Sequence, residues 1–106
     1  MEKELEGLLN AYTGVYRMAE KHLPHALEFE FSQAAGDFDE AYWWLSHDQG
    51  SMEAIGQLAS AFCAMCSMVP TDLPKAQEYK YLLSVATFNL AIFALRRYFY
   101  STDEED

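Results

Sequence analysis

The last third of the chain constrains the fold most. From Tyr81 to Leu95 run 15 residues without a charge, bounded by Lys80 and Arg96. Residues 73–100 carry two apolar seams at heptad-like spacing. One is Ala76, Tyr79, Leu83, Ala86, Leu90 and Phe93; the other is Tyr81, Val85, Phe88, Ile92, Leu95 and Phe99. At about 100° per residue the two seams face opposite directions. Such a helix must be covered on both sides. It is either the central helix of a bundle or a dimerisation helix, and the second seam is the expected homodimer contact. Ser84, Thr87 and Asn89 interrupt the stretch, and it falls short of the ~20 apolar residues of a membrane crossing. A core helix is expected, and no membrane partner.

The rest of the chain also reads as helices. Leu5, Leu8, Leu9, Tyr12, Val15, Tyr16, Ala19 and Leu23 follow a helical period over residues 2–23. Gly7, Ala11 and Gly14 lie on a different face, where glycines let another backbone approach. Pro24 interrupts the pattern. Leu27, Phe29 and Phe31 alternate like a strand, but nothing else in the chain could pair with one, so 25–35 is expected as a short helix ending at Gly36. Asp37 and Glu40 are spaced as a capping box and predict a third helix from Asp37 to about Asp48. Ser51 can cap a fourth over 52–69, and Asp72 can cap the last. The fourth helix carries one charge, Glu53, so its weakly polar side is expected to be covered too, by the fold or by a second subunit. The expected fold class is all-α: a compact bundle of four to five helices over residues 1–100, with 101–106 an acidic disordered tail. Apolar residues form 51% of the 106, enough for one domain to build a core without disulfides or metal.

Charge narrows the function classes. The net charge is −10, and no Lys or Arg occurs in the 53 residues between Lys21 and Lys75, which carry eight carboxylates. Direct nucleic-acid binding is disfavoured, because phosphate contacts need clustered cations. An acidic face keeps a protein soluble, and it can also dock on a basic partner. The N-terminal residues Met-Glu-Lys-Glu-Leu-Glu lack the apolar core of a signal peptide, and with two cysteines they fit a reducing cytoplasm.

Catalytic and metal chemistry find little support. Cys63-Ala-Met-Cys66 has CxxC spacing, but it lies inside a helix, away from the N-terminus that would activate a thiol, and no second ligand pair exists for zinc. The two are expected as structural thiols. His22, His25 and Glu28 cluster around Pro24 without a recognised ligand pattern. No nucleophile–base signature or Gly-rich phosphate loop occurs. The chain is expected to be no enzyme and to need no cofactor.

The most informative cluster is on the predicted third helix. Phe38, Ala41, Tyr42 and Leu45 make its inward stripe, and Trp44 is expected in the core. Trp43 points outward, with Asp39 and His47 one turn to either side and Asp37 and Glu40 nearby. Tryptophan among carboxylates is the composition of a binding patch for a basic protein. Asp37, Asp39, Glu40, Trp43 and His47 are the candidate partner-binding residues. In size, acidity and helicity the chain is similar to small phage or plasmid inhibitors of nucleases and CRISPR complexes, and to bacterial immunity proteins that neutralise basic toxins. The similarity is compositional and covers no motif. It implies a binding protein that blocks a nucleic-acid-binding partner, as a nucleic-acid mimic. The alternative is a homodimeric structural or assembly protein whose acidity serves only solubility.

Overall fold

Leu8, Ala11, Val15, Met18 and Ala19 recur at helical spacing and are buried, and they lie on one helix, α1, Glu2–His22. Glu2 and Glu4 occupy its first turn and Lys21 and His22 its last, as the helix dipole favours. After Pro24 a single 3-10 turn, His25–Leu27, leads into α2, Glu28–Ser46. Helix α3 spans Met52–Ser67 and α4 spans Lys75–Glu105. The computed structural model describes residues 2–47 and 52–105, with side chains through Tyr100. Among the described residues there is no strand, and the fold is the expected all-α bundle.

The expected break at Gly36 does not occur. Helix α2 runs through it, so residues predicted as a second and a third helix form one. Phe31, Ala34, Ala35, Phe38, Ala41 and Leu45 make one continuous buried stripe across the glycine. A mid-helix glycine costs ~1 kcal/mol, less than the ~1.5–3 kcal/mol of burying Phe38 alone. Asp37 is therefore a helix-interior residue, not a cap, and its carbonyl accepts a hydrogen bond from Gln57 Nε2 at 3.0 Å. Asp72 is not the cap of α4 either. That helix begins after Pro74, whose carbonyl accepts from the N–H groups of Gln77 and Glu78 at 2.9 and 2.8 Å. The expected cap at Ser51 and the helix end at Asp48 lie outside the described residues.

The helices run up-down-up-down. Each packs against its chain neighbour, and α1 also packs along α4, which places α2 and α4 on a diagonal. Helices α1 and α4 approach most closely through the two glycines. A Cβ added to Gly7 would sit 3.5 Å from Ala91 Cβ, and one added to Gly14 would sit 3.3 Å from Ser84 Cβ and collide with its hydroxyl. Four aromatic rings fill the centre, one from each helix. Phe62 and Phe88 stack at 3.9 Å and 6°, Tyr12 stacks on Phe38 at 4.6 Å, and Phe38 lies 6.3 and 6.2 Å from Phe62 and Phe88.

Helix α4 sets the 47 Å long dimension. Its inner seam is the one expected to dimerise. Phe88, Ile92 and Leu95 are buried in the chain's own core, with Tyr81, Val85 and Phe99 packed against them. Those six residues are bundle contacts, not a dimer surface. Facing them at similar depth are Phe62, Met65 and Leu58, which complete one apolar core with this seam. The other seam is bare: Tyr79, Leu83, Leu90 and Phe93 are each more than half exposed.

Candidate partner-binding surfaces

The outer face of α2 carries the predicted cluster. Asp37, Asp39, Glu40, Trp43 and His47 are all exposed, while Phe38, Ala41 and Leu45 on the opposite face are buried. The indole of Trp43 is held on two sides. The His47 ring stacks on it at 4.2 Å and 20°, and Trp44 meets it edge-on at 5.3 Å. The Trp43 carbonyl caps the helix end by accepting from the His47 backbone N–H at 3.1 Å and from Ser46 Oγ at 3.0 Å. His47 Nδ1 lies 2.8 Å from the same oxygen, which fits the Nδ1–H tautomer. His47 thus closes α2 and braces the tryptophan. An anchor held this way loses little rotamer freedom on binding.

Trp44 is not in the core. It is 39% exposed beside Trp43 at 48%, so the outer face carries an indole pair. The sequence pattern missed this because Trp44 lies about 120° from Phe38, at the flank of the stripe, where periodicity does not decide.

The Tyr12 phenol lies close enough to Asp39 to feel it: burial, then the Asp39 charge, push the tyrosine pKa up to about 12. Among the described residues Asp37, Asp39 and Glu40 form no ion pair. The face therefore carries negative charge that no cation within the described chain neutralises.

Other candidates resolve more simply. His25 pairs with Glu28 at 3.2 Å, and His22 hydrogen-bonds to Gln77 across the α1–α4 pair. Among the described residues no group of three potential ligands could hold a metal. Cys63 is exposed and Cys66 is half-buried. Burial pushes the Cys66 thiol up to about 11, and the Tyr81 hydroxyl, 3.4 Å from the Cys66 carbonyl oxygen, covers that turn. Arg17, Lys21 and Lys80 line a shallow cavity with Gly14, Met18 and Gln77 at the opposite end of α1. Helix α4 is long and apolar enough over Lys75–Tyr100 to cross a membrane by length and composition, and about a fifth of its most apolar window is buried. It is a half-covered helix, not the fully covered core helix expected.

The chain matches no protein-family model, no curated protein and no solved structure.

Proposed function

We propose that this protein is a non-enzymatic acidic binding module. The outer face of α2 docks on a basic, nucleic-acid-binding protein partner and inhibits it by occupying the surface that nucleic acid would use. The carrying observation is the braced, half-exposed Trp43 among Asp37, Asp39 and Glu40, none of them ion-paired among the described residues. The carboxylates attract a basic surface over a Debye length, and the indole supplies the apolar anchor that long-range attraction does not.

The test is affinity capture from a lysate with the wild-type chain, Trp43→Ala, and the double variant Asp39→Lys with Glu40→Lys, each at low and high salt. A basic protein retained by the wild type at low salt, and lost with either variant, supports the reading. Equal capture by all three chains removes the α2 face from the function. A second reading, a homodimeric assembly protein, is favoured by the bare face of α4.

A further inference from the structure

The bare seam of α4 is longer than its six predicted members. Arg97 and Tyr100 continue it, so that positions from Ala76 to Tyr100 alternate in steps of three and four, and all eight are exposed. This is the a/d spacing of a two-stranded coiled coil, sustained for more than three heptads. Tyr79, Leu90, Phe93 and Tyr100 are 68, 72, 62 and 61% exposed, with Leu82 and Leu83 at 55 and 54%. A contiguous run of large, half- to three-quarters-exposed apolar side chains of this kind marks an interaction surface rather than ordinary solvent-facing surface.

We propose that α4 pairs along this seam with α4 of a second copy, antiparallel. The register sets Leu83 against Phe93 of the other copy, Ala86 against Leu90, Tyr79 against Arg97 and Ala76 against Tyr100. The register rests on the homodimer reading and can fail without it.

Three features select this arrangement. Every seam position finds a partner, which gives eight layers across the two-fold axis. Size alternates across it: both alanines face large side chains, as interdigitated packing requires. Charge selects direction. A parallel, in-register pair would stack Arg97 on Arg97, Ala76 on Ala76 and Ala86 on Ala86, which adds a like-charge contact and two gaps. In the antiparallel pair the Arg97 guanidinium meets the Tyr79 ring of the other copy, a cation–π contact. Within one copy Arg97 already lies 5.9 Å from the Phe93 ring, so its side chain lies along the seam. A lipid surface would draw no benefit from the size alternation, and Arg97, second from the end of the seam, would have to snorkel to keep its charge in water.

The two-fold axis passes beside Asn89, so Asn89 flanks its own counterpart, whereas Ala76 of one copy lies far from Ala76 of the other. Two measurements separate dimer from register. Sedimentation equilibrium at high micromolar concentration should give twice 12.1 kDa. Leu90→Glu, and separately the milder Leu90→Gln, should weaken association by at least about 30-fold with unchanged helical circular dichroism. In a Cys63→Ser background, Asn89→Cys should oxidise to a covalent dimer and Ala76→Cys should not. The opposite cross-linking pattern overturns the register while the dimer stands. A wild-type monomer overturns both, and a monomer that co-sediments with phosphatidylcholine vesicles assigns the seam to lipid instead.

Discussion

Replacing Gly36 with alanine should stabilise the protein, by an amount the structure sets. Gly36 lies in the interior of α2 on its exposed side, and a Cβ built there meets nothing within 4 Å. The change therefore carries only the helix-propensity gain of ~0.8–1.0 kcal/mol. For a domain of about this size that is a rise of roughly 4–8 °C in Tm. Gly56 in α3 has the same open surroundings and should behave alike. Gly14→Ala should go the other way. Its Cβ would collide with the Ser84 hydroxyl and sit 3.3 Å from Ser84 Cβ. The hydroxyl can rotate away from the Lys80 carbonyl that it now bonds at 3.1 Å, but the two β-carbons separate only if α1 and α4 do. Overpacking of this kind costs ~1–3 kcal/mol, enough to outweigh the propensity gain, and the loss should shrink in a Ser84→Gly background. Urea denaturation of the four variants and the double variant measures all of this. A Gly36→Ala chain less stable than wild type would mean that the glycine holds a conformation alanine cannot adopt, and that α2 is two helices.

Phe62→Ala, which empties one half of the ring stack on Phe88, should cost ~3–5 kcal/mol in the same assay, and a loss below ~1 kcal/mol would contradict the central packing. Cys63 should react with a thiol reagent at neutral pH well before Cys66, which is half-buried with its thiol held up near 11; equal rates would place Cys66 at the surface. Stability should fall at alkaline pH. Tyr12 and Tyr81 are raised from 10.0 to about 12, and Cys66 from 9.0 to about 11, each mainly by burial. The folded state thus holds these protons more tightly than the unfolded chain. Their contribution is complete below pH 9 and is lost as pH rises through 11 to 12. A urea midpoint that stays level from pH 9 to 12 would contradict this, and Tyr81→Phe should reduce the slope.

Helices α1, α3 and α4 are legible because their apolar stripes are long and keep a helical period, whereas residues 27–31 alternate and read as helix only because no strand could pair with them. The break at Gly36 was misread because Asp37-Phe-Asp-Glu40 satisfies a local capping pattern. What rules it out is tertiary: Phe31 and Ala34 before the glycine and Phe38 and Ala41 after it bury into one core. On α4 the two seams were visible and their assignment was not. Both keep heptad spacing with apolar or aromatic residues at all six predicted positions, so periodicity alone does not rank them. What decides is the shape they meet, with Phe88 stacked flat on Phe62 and Ala91 opposite Gly7. Gly7 and Gly14 are a spatial signal that survives in sequence, a missing Cβ that permits a close approach, but only the structure shows that α4 is the helix that makes it. Trp43 was readable as outward for the same geometric reason that made Trp44 ambiguous.

The two proposed surfaces should respond to salt in opposite directions. Helices α2 and α4 are on a diagonal of the bundle, so pairing through the outer seam of α4 leaves the Trp43 face of each copy outside the interface. Each copy carries a net charge of −10, so two copies repel at long range. Lys80, Arg96 and Arg97 near the seam add like charge of the other sign close to the contact. The attraction across the seam is apolar burial, which salt does not screen. Raising ionic strength from about 0.01 M to 0.15 M shortens the Debye length from roughly 30 to 8 Å. It should therefore leave the dimer constant unchanged or tighten it. Docking of a basic partner on α2 draws on opposite charges and should weaken over the same range, chiefly through slower association. Sedimentation of the wild-type chain at the two salt concentrations, beside binding kinetics of the captured partner, reads both slopes. Dissociation of the dimer by salt would mean that ion pairs, not the heptad seam, hold the copies together. Partner binding that strengthens with salt would take the carboxylates of α2 out of the contact and leave Trp43 as an apolar patch alone.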